Sequence, residues 1–330
     1  MSDSLLRAHA VFEGGGVKGS GLVGAVAYAE SLGYRWECVA GTSAGAVVAS
    51  LIAVGYTGLE MKRILEEVDY RRFKDPSFVG RLPLIGPALS LFTQLGLYKG
   101  DYLSRWLGGL IKAKAGTADL CFGELRTGDR RSRYKYRLRV VASDIARGRL
   151  LVLPQDIAAY GIDPDRLRVV DAVRMSAGLP FFYRPVPLRY RSETSWIVDG
   201  GILSNFPVWL FDAPAHEAAA VPTFGFKLVE PDAHVPRTIR GPITLLEALF
   251  ATMMEAHDAR YIKEHNFART IAIPTLGVGT VEFDLSLERR RALFRAGEEA
   301  ARKFFARWNF RAFLDAYGRR IGVEEAHAHR

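Results

Sequence analysis

Cysteine and histidine are scarce in this chain of 330 residues. Cys38 and Cys121 are the only cysteines and form no CxxC pair, so no disulfide framework is expected. The seven histidines show no HExxH spacing, which argues against a zinc site. The sequence therefore predicts a protein of the reducing cytoplasm, with a bacterial periplasm as the alternative, and one that uses no metal ion and no other cofactor.

Long apolar stretches are also missing. The first ten residues have no apolar core of the kind found in signal peptides. The most suggestive uncharged segments are residues 44–59 and 82–98, and both are shorter than the roughly 20 apolar residues that cross a bilayer. We therefore expect a chain that does not span a membrane.

Acidic residues are fewer than basic ones, at 36 against 45, so the net charge is +9. Such a charge favours anionic partners. No zinc-finger, RNA-recognition or helix-turn-helix signature accompanies it, so nucleic acid is not expected as a partner. Peripheral contact with an anionic membrane is the preferred interpretation, and no pattern predicts an oligomeric state.

What the sequence does contain is an alternation of apolar strands and helices. Strands are predicted to end at Phe12 and Ala40, and helices at Val17–Leu32 and Ala46–Val54 follow them. Two strands joined by a helix run parallel through a right-handed crossover. The remaining predicted strands are Tyr136–Ser143, Ser195–Val198, Thr223–Val229 and Thr270–Ile273, and the remaining helices are Leu59–Val68, Tyr102–Ala113, Thr244–Glu264 and Leu287–Phe305. This pattern predicts an α/β fold, and the absence of repeats or long linkers favours one domain.

A GxSxG pentapeptide, Gly41-Thr42-Ser43-Ala44-Gly45, lies between a predicted strand and a predicted buried helix. In this context the serine sits on a sharp turn with its hydroxyl exposed, and the glycines provide the room for that turn. Ser43 is therefore a candidate nucleophile. An ordinary glycine-rich turn with a surface serine is the alternative interpretation.

A glycine-rich loop, Gly14-Gly15-Gly16-Val17-Lys18-Gly19, directly follows the first predicted strand. Successive backbone N–H groups of such a loop can stabilise an oxyanion. The same residues match GxGxxG, the dinucleotide fingerprint, which expects an acidic residue at the end of the second strand. Here Glu37 lies near the beginning of that strand, so the oxyanion interpretation is preferred.

A carboxylate follows the apolar strand that ends at Val198, in the segment Asp199-Gly200-Gly201. A strand-terminal aspartate with small neighbours can approach a serine on an adjacent loop and act as its base. A simple Asp-Gly turn is the alternative role. Asp144 also follows a predicted strand and is the competing candidate for the base.

Together these segments resemble the patatin-like phospholipase family, which combines a GGGxKG or GGGxRG loop, a GxSxG turn and a distant DGG or DGA. The block Met175–Phe182 is also similar to that family. The resemblance implies a three-layer patatin-like fold in which a mostly parallel central sheet is flanked by helices. It covers residues 8–305 as an acyl hydrolase domain and leaves residues 306–330 as a basic amphipathic tail.

The resemblance also implies roles for individual residues. Ser43 would be the nucleophile and Asp199 the base of a Ser-Asp dyad without histidine, and the backbone of Gly14, Gly15 and Gly16 would form the oxyanion hole. The residues that would support these motifs are Lys18, Gly19, Gly41, Gly45, Gly200 and Gly201. The expected activity is that of a serine lipid acyl hydrolase acting on a lipid or ester, as a phospholipase A, a lysophospholipase or a carboxylester hydrolase.

Two other functions stay open at this point. A Ser-Asp-His triad of the α/β-hydrolase type would recruit one of the histidines that follow Asp199, namely His216, His234, His257 or His265. Against it, nucleophiles of that fold usually follow several strands, whereas Ser43 follows the second. The other alternative is a non-catalytic lipid-binding protein on the same fold, which the intact Ser43 and Asp199 disfavour.

Three further segments suggest contacts with lipid. Residues 76–98 are rich in apolar side chains and are interpreted as a lid, an entrance for an acyl chain, or a packed loop. Residues 304–321 mix aromatic and arginine side chains, which suits either a membrane surface or a helix docked on the core. Residues 130–139 form a basic run that is expected to be solvated or to face lipid head groups.

Overall fold

The computed structural model describes residues 6–78, 80, 85–213, 219–230 and 264–317, together with single positions between 230 and 264. The strands are β1 Leu6–Phe12, β2 Tyr34–Thr42, β3 Gly96–Tyr98, β4 Leu138–Asp144, β5 Arg149–Leu153, β6 Phe181–Tyr183, β7 Val186–Tyr190, β8 Glu193–Asp199, β9 Thr223–Val229 and β10 Thr270–Pro274. The helices are α1 Gly19–Ser31, α2 Ala44–Ala53, α3 Gly58–Glu67, α4 Gly86–Gln94, α5 Asp101–Ala115, α6 Val169–Ser176, α7 Glu264–Ala268, α8 Leu287–Phe305 and α9 Phe310–Tyr317.

Eight of these strands form one central sheet, in the order β10-β9-β1-β2-β4-β8-β7, with β5 paired to β4. The strands from β10 to β4 are parallel, whereas β5 and β8 run antiparallel to β4, and β7 runs antiparallel to β8. Strands β3 and β6 form a separate parallel pair. The predicted fold class, a mostly parallel sheet flanked by helices, is confirmed.

The register of β4 with its neighbours brings the two predicted catalytic segments together. Thr42, the last residue of β2, pairs with Val141 of β4, and Asp199, the last residue of β8, pairs with Ala142. Because the two pairings are one position apart on the same strand, Ser43 and Asp199 meet at one place on the sheet. The two are far apart in sequence but adjacent in the fold.

Close helix packing covers one side of the sheet. Helices α1 and α8 approach until a Cβ atom added to Gly24 would lie 2.0 Å from the carbonyl oxygen of Phe294. A Cβ at Gly297 would lie 1.9 Å from the carbonyl oxygen of Gly21. Only glycine permits this backbone contact, which holds α8 directly against the helix that follows the glycine-rich loop.

Several predicted boundaries differ from the structure for local reasons. The helix predicted from Val17 begins as a 3-10 turn at Gly16–Lys18 and becomes α1 at Gly19. Helix α3 begins one residue before the prediction because the Thr57 and Glu60 side chains form a capping box around its first turn. The helix predicted at Thr244–Glu264 lies almost entirely outside the described residues.

Candidate active site

Ser43 sits on a strained turn between β2 and α2. Its φ angle is 54°, a left-handed value that is uncommon for a residue other than glycine. The turn is also crowded, because a Cβ at Gly41 would lie 2.3 Å from the backbone of Gly45. A Cβ at Gly45 would in turn lie 2.3 Å from the carbonyl oxygen of Phe12. The glycines of the pentapeptide are therefore required by space, and the geometry matches a nucleophile elbow.

Ser176 fixes the backbone of this turn. Its hydroxyl oxygen accepts a hydrogen bond from the Ser43 N–H at 2.9 Å and donates one to the carbonyl oxygen of Val141 at 2.5 Å. The Ser43 turn is thereby tied to β4. The sequence gives Ser176 no predicted role, although it lies in the block that begins at Met175, because nothing local to that segment indicates its partner.

The Asp199 carboxylate is buried next to Ser43. One oxygen, Oδ1, accepts a hydrogen bond from the Gly201 N–H at 2.8 Å, while Oδ2 accepts no hydrogen bond of full geometry from the described residues. Burial raises the pKa of Asp199 to about 7, although the Ser43 hydroxyl and the Gly201 N–H partly oppose the rise. A carboxyl group with such a pKa is suited to exchange protons near neutral pH. A Cβ at Gly200 would lie 2.3 Å from the Val141 carbonyl oxygen, so this position is also closed to larger residues.

The glycine-rich loop lies against the serine turn. A Cβ added to Gly14 would lie 3.1 Å from the Cβ of Ser43. The Gly14 N–H donates to the carbonyl oxygen of Asn205 at 3.2 Å, and the Asn205 amide donates back to the Gly14 carbonyl oxygen at 3.3 Å. Within the described part of the chain, the N–H groups of Gly15 and Gly16 have no acceptor. Both glycines line the same cleft as Ser43.

Lys18 and Gly19 continue this loop into α1. Lys18 is buried, and its ammonium group lies 3.7 Å from a carboxylate oxygen of Glu230. Gly19 is the first residue of α1 and lines the cleft. Asn205 was not predicted from the sequence, although it lies only six residues after Asp199.

A cleft that is partly open to solvent surrounds Ser43 and Asp199. Its walls are mostly apolar and come from α2, α3, α5, the loop before β6 and the loop before α8. The aromatic side chains of the walls are Tyr70, Phe73, Trp106, Phe182, Tyr183 and Phe283. Phe182 and Phe283 stack with their ring centroids 5.2 Å apart. Such a cleft suits an apolar chain whose reactive group reaches Ser43.

Asp144 does not line this cleft, and its hydrogen bonds are already made. The Tyr160 hydroxyl donates to Oδ2 at 2.7 Å, and the backbone N–H groups of Ala146 and Arg147 donate to Oδ1 at 2.9 and 3.2 Å. Asp144 thus stabilises the turn between β4 and β5.

The histidines of the alternative triad fall outside what can be described. His216, His234 and His257 lie outside the described residues, and so does the side chain of His265. His9 is described, and it stacks against Tyr134 with ring centroids 5.0 Å apart. Burial lowers the pKa of His9 to about 4, and this histidine does not line the cleft.

Two other expectations can be compared with the described residues. Within ranges 6–78, 80, 85–213, 219–230 and 264–317, no group of three potential ligand side chains could hold a metal ion. Over the same part of the chain, no helix combines the length and apolar character that a membrane span needs. Glu37, considered above for a dinucleotide site, forms an ion pair with Arg7 at 2.7 Å.

The basic run and the C-terminal segment make contacts with the protein itself. Arg139 is buried and donates to the carbonyl oxygens of Leu210 and Ser132, both at 3.1 Å. Trp308 packs on Phe224 with ring centroids 5.0 Å apart. Residues 318–330 lie outside the described residues, so the extent of the predicted tail stays a prediction.

A known protein family matches the part of the chain that contains these residues. Residues 10–212 match the family model described as patatin-like phospholipase, which is more than half of the chain. The chain belongs to the patatin-like phospholipase family. Ser43, Asp199 and the glycine-rich loop all lie inside the matched range.

Individual relatives agree with this membership. The uncharacterized protein YqhO of Bacillus subtilis (strain 168) is 39% identical over 302 residues, which is 91% of this chain and 98% of YqhO. A protein of Invertebrate iridescent virus 6, named probable lipid hydrolase 463L, is 23% identical over 60% of this chain and 61% of its own length. The crystal structure of VipD from Legionella pneumophila has a TM-score of 0.55 at 18% identity and covers 91% of this chain and 66% of VipD. This structural likeness concerns the fold.

Proposed function

We propose that this patatin-like chain is a serine lipid acyl hydrolase that uses a Ser43–Asp199 dyad. The observation that carries the proposal is the meeting of a strained serine turn and a buried, incompletely hydrogen-bonded carboxylate in an apolar cleft. A structural aspartate of the same sheet, Asp144, has all its partners and lies elsewhere. Incomplete hydrogen bonding of a buried carboxylate destabilises the folded protein, and a catalytic role of Asp199 would explain why this arrangement is present.

The reaction proceeds by acyl transfer through Ser43. The Ser43 oxygen attacks the ester carbonyl carbon while Asp199 takes the hydroxyl proton, and the carbonyl oxygen becomes a tetrahedral oxyanion. The carbon–oxygen bond to the leaving alcohol then breaks, and Asp199 returns the proton to that alcohol. Water attacks the acyl-serine in the same manner, so that the free acid leaves and Ser43 regains its proton.

We assign the oxyanion hole to the N–H groups of Gly15 and Gly16. The Gly14 N–H is occupied by the Asn205 carbonyl oxygen, so Gly14 supports the loop and its own amide is not a free donor. Each donor of an oxyanion hole is typically worth about 3–4 kcal/mol of transition-state stabilisation. The raised pKa of Asp199 complements them, because a more basic carboxylate accepts the serine proton more readily.

The substrate we propose is a lipid carboxylic ester whose acyl chain lies along the apolar walls of the cleft. The aromatic lining supports an apolar chain, and the family name and the viral lipid hydrolase support a lipid. Phospholipase A, lysophospholipase and carboxylester hydrolase activity are the three forms of this proposal. We further propose a cytoplasmic protein whose hydrolase domain covers residues 8–305 and which meets membranes peripherally.

Labelling with a fluorophosphonate probe tests the nucleophile directly, because the probe reacts with activated serines. The wild-type protein should be labelled and Ser43→Ala should not. Ser50→Ala is a matched control on the same helix, since Ser50 lies outside the cleft and donates to the Val47 carbonyl oxygen at 2.7 Å. Labelling that survives Ser43→Ala, in a folded protein, would contradict the proposal.

Hydrolysis measurements separate an enzyme from a lipid-binding protein. The wild type and Ser50→Ala should cleave both a soluble short-chain nitrophenyl ester and lipids of a mixed panel. Ser43→Ala and Asp199→Asn should cleave neither. A protein that binds lipid but releases no fatty acid from any substrate would instead support the non-catalytic alternative.

A further inference from the structure

Helix α4 exposes apolar side chains to solvent and buries a polar one, which is the reverse of an ordinary surface helix. Ser90 is its fully buried polar residue, and its hydroxyl donates to the Gly96 carbonyl oxygen at 2.8 Å. Ile85, just before the helix, and Leu89 and Phe92 within it are exposed, the last with 84% of its surface accessible. Their spacing of four and three residues places them in one stripe. The side that faces solvent is therefore the apolar one.

The strand beside α4 repeats this arrangement. Gly96, which closely follows the helix, pairs with Phe181 of β6. Phe181 is 47% exposed and has a φ angle of 64°, a strained value for a bulky residue. The side chain of Arg184 reaches the Gln94 amide oxygen and joins β6 to the helix. We name the exposed side chains of Ile85, Leu89, Phe92 and Phe181 the α4 surface.

The α4 surface lies next to the wall of the cleft. Phe182 and Tyr183, which directly follow Phe181, both line the cleft. The ring of Phe182 also contacts Tyr98 of β3 with centroids 4.7 Å apart. The unit formed by α4, β3 and β6 thus provides apolar side chains to the cleft and to the solvent at once.

We propose that the α4 surface docks on an anionic lipid bilayer and delivers lipid to the cleft; this rests on the proposed lipid hydrolase function. Exposed apolar patches on soluble proteins mark interaction sites, and residues 85–98 contain no charge that could pair with a polar protein surface. A protein seated here would lie beside the route into the cleft, whereas a bilayer supplies the substrate. The net charge of +9 complements anionic head groups around the inserted side chains.

Sedimentation with vesicles of phosphatidylcholine and phosphatidylglycerol tests the surface. Phe92→Asp should lower vesicle binding and hydrolysis of vesicle lipid by roughly tenfold or more, because it removes one large apolar side chain from the bilayer and adds a like charge. Turnover of a soluble nitrophenyl ester should stay unchanged, because Phe92 does not line the cleft. Phe267→Asp is the matched control: Phe267 is 62% exposed and precedes β10, at the sheet edge opposite the carboxyl ends of the parallel strands.

The outcomes are distinct. Unchanged vesicle binding in Phe92→Asp, or an equal loss in Phe267→Asp, overturns the proposed surface. A wild type that is dimeric by light scattering and becomes monomeric in Phe92→Asp, with vesicle binding retained, assigns the surface to a second copy and also overturns it. Vesicle binding that depends on Phe92 in a protein inactive on every ester supports the surface while refuting the hydrolase function.

Discussion

Asp144 and Asp199 end neighbouring strands of one sheet, and both carboxylates are buried, yet their surroundings differ. Asp144 accepts three hydrogen bonds from Tyr160, Ala146 and Arg147. Asp199 accepts one of full geometry, from Gly201, and its Oδ2 has no such partner among the described residues. The region around Asp144 is satisfied in the manner of an ordinary turn. The region around Asp199 combines an oxygen whose one hydroxyl neighbour is Ser43 with the positive φ angle of that serine.

The two surroundings distinguish a structural carboxylate from the one that we propose to be catalytic. Burial and position at a strand end are common to both residues, so neither feature identifies a base. The distinguishing feature is spare hydrogen-bonding capacity in a cleft, which costs stability and is kept where chemistry needs it. The same substitution made at each of the two aspartates tests this distinction.

Replacing the two aspartates should change the rate of ester hydrolysis very differently. Asp199→Asn should lower kcat for a soluble ester by on the order of 10³–10⁴-fold, because the amide cannot take the Ser43 proton. Asp144→Asn should keep kcat per folded molecule within a few fold but lower the free energy of unfolding by about 1–3 kcal/mol, since a buried set of hydrogen bonds is disturbed. Steady-state rates and urea unfolding of both variants measure this. A low kcat in Asp144→Asn with normal kcat in Asp199→Asn would reverse the assignment.

A smaller effect is expected in the pH dependence. Because the pKa of Asp199 is raised to about 7, kcat/KM should rise with pH and level off above about pH 7. The free energy of unfolding should change in the opposite direction. Because the folded state favours the protonated carboxyl, the wild type should lose stability relative to Asp199→Asn as the pH rises from about 4 to 7. Rate profiles and urea unfolding at several pH values test both.

A histidine outside the described residues could produce a similar rate profile, so the stability profile is the control for this prediction. The free energy of unfolding of the wild type should fall between about pH 4 and pH 7 because of Asp199. In Asp199→Asn this contribution to the fall should be absent. If the difference between the two proteins is constant over that range, the raised pKa of Asp199 is refuted. Asp144→Asn serves as the matched aspartate variant in the same titration.

The smallest effect concerns the strain at Ser43. Glycine adopts a φ angle of 54° without steric cost, whereas alanine does not. Ser43→Gly should therefore be more stable than Ser43→Ala by about 1 kcal/mol, with both inactive. Thermal unfolding of the pair measures this, and Ser50→Gly against Ser50→Ala is the control, where glycine inside α2 should be the less stable by about 1 kcal/mol. Equal stability of the two Ser43 variants would mean that the turn relaxes once its hydroxyl is gone.

Features local in the sequence were predicted well, and features that depend on distant contacts were not. The strand before Ser43 and the helix after it follow from a glycine-flanked turn between apolar segments, and helix α2 starts within two residues of its predicted position. The fold class follows from strands alternating with helices. Strands β3, β5, β6 and β7 were missed, because segments of three to five residues carry too little periodic signal.

The sequence indicates the motif residues that the structure brings together, but not the residues that support them. Ser176 contacts Ser43 across 133 positions of sequence, and Asn205 contacts Gly14 across 191. A serine and an asparagine at such distances look like any other polar residue until the fold brings them together. The same holds for Asp144, whose competing role could be judged only once its partners were visible.

Strand β4 holds both residues of the proposed dyad, Ser43 and Asp199. Its Val141 carbonyl oxygen holds the serine turn through Ser176, and its Ala142 pairs with Asp199. Because both residues of the proposed dyad are attached to β4, we expect a shift of this strand to move them together, whereas the cleft walls on α3, α5 and the loop before α8 are separate elements. Under the proposed function, substitutions in the walls would therefore change which lipids enter without altering the spacing of Ser43 and Asp199.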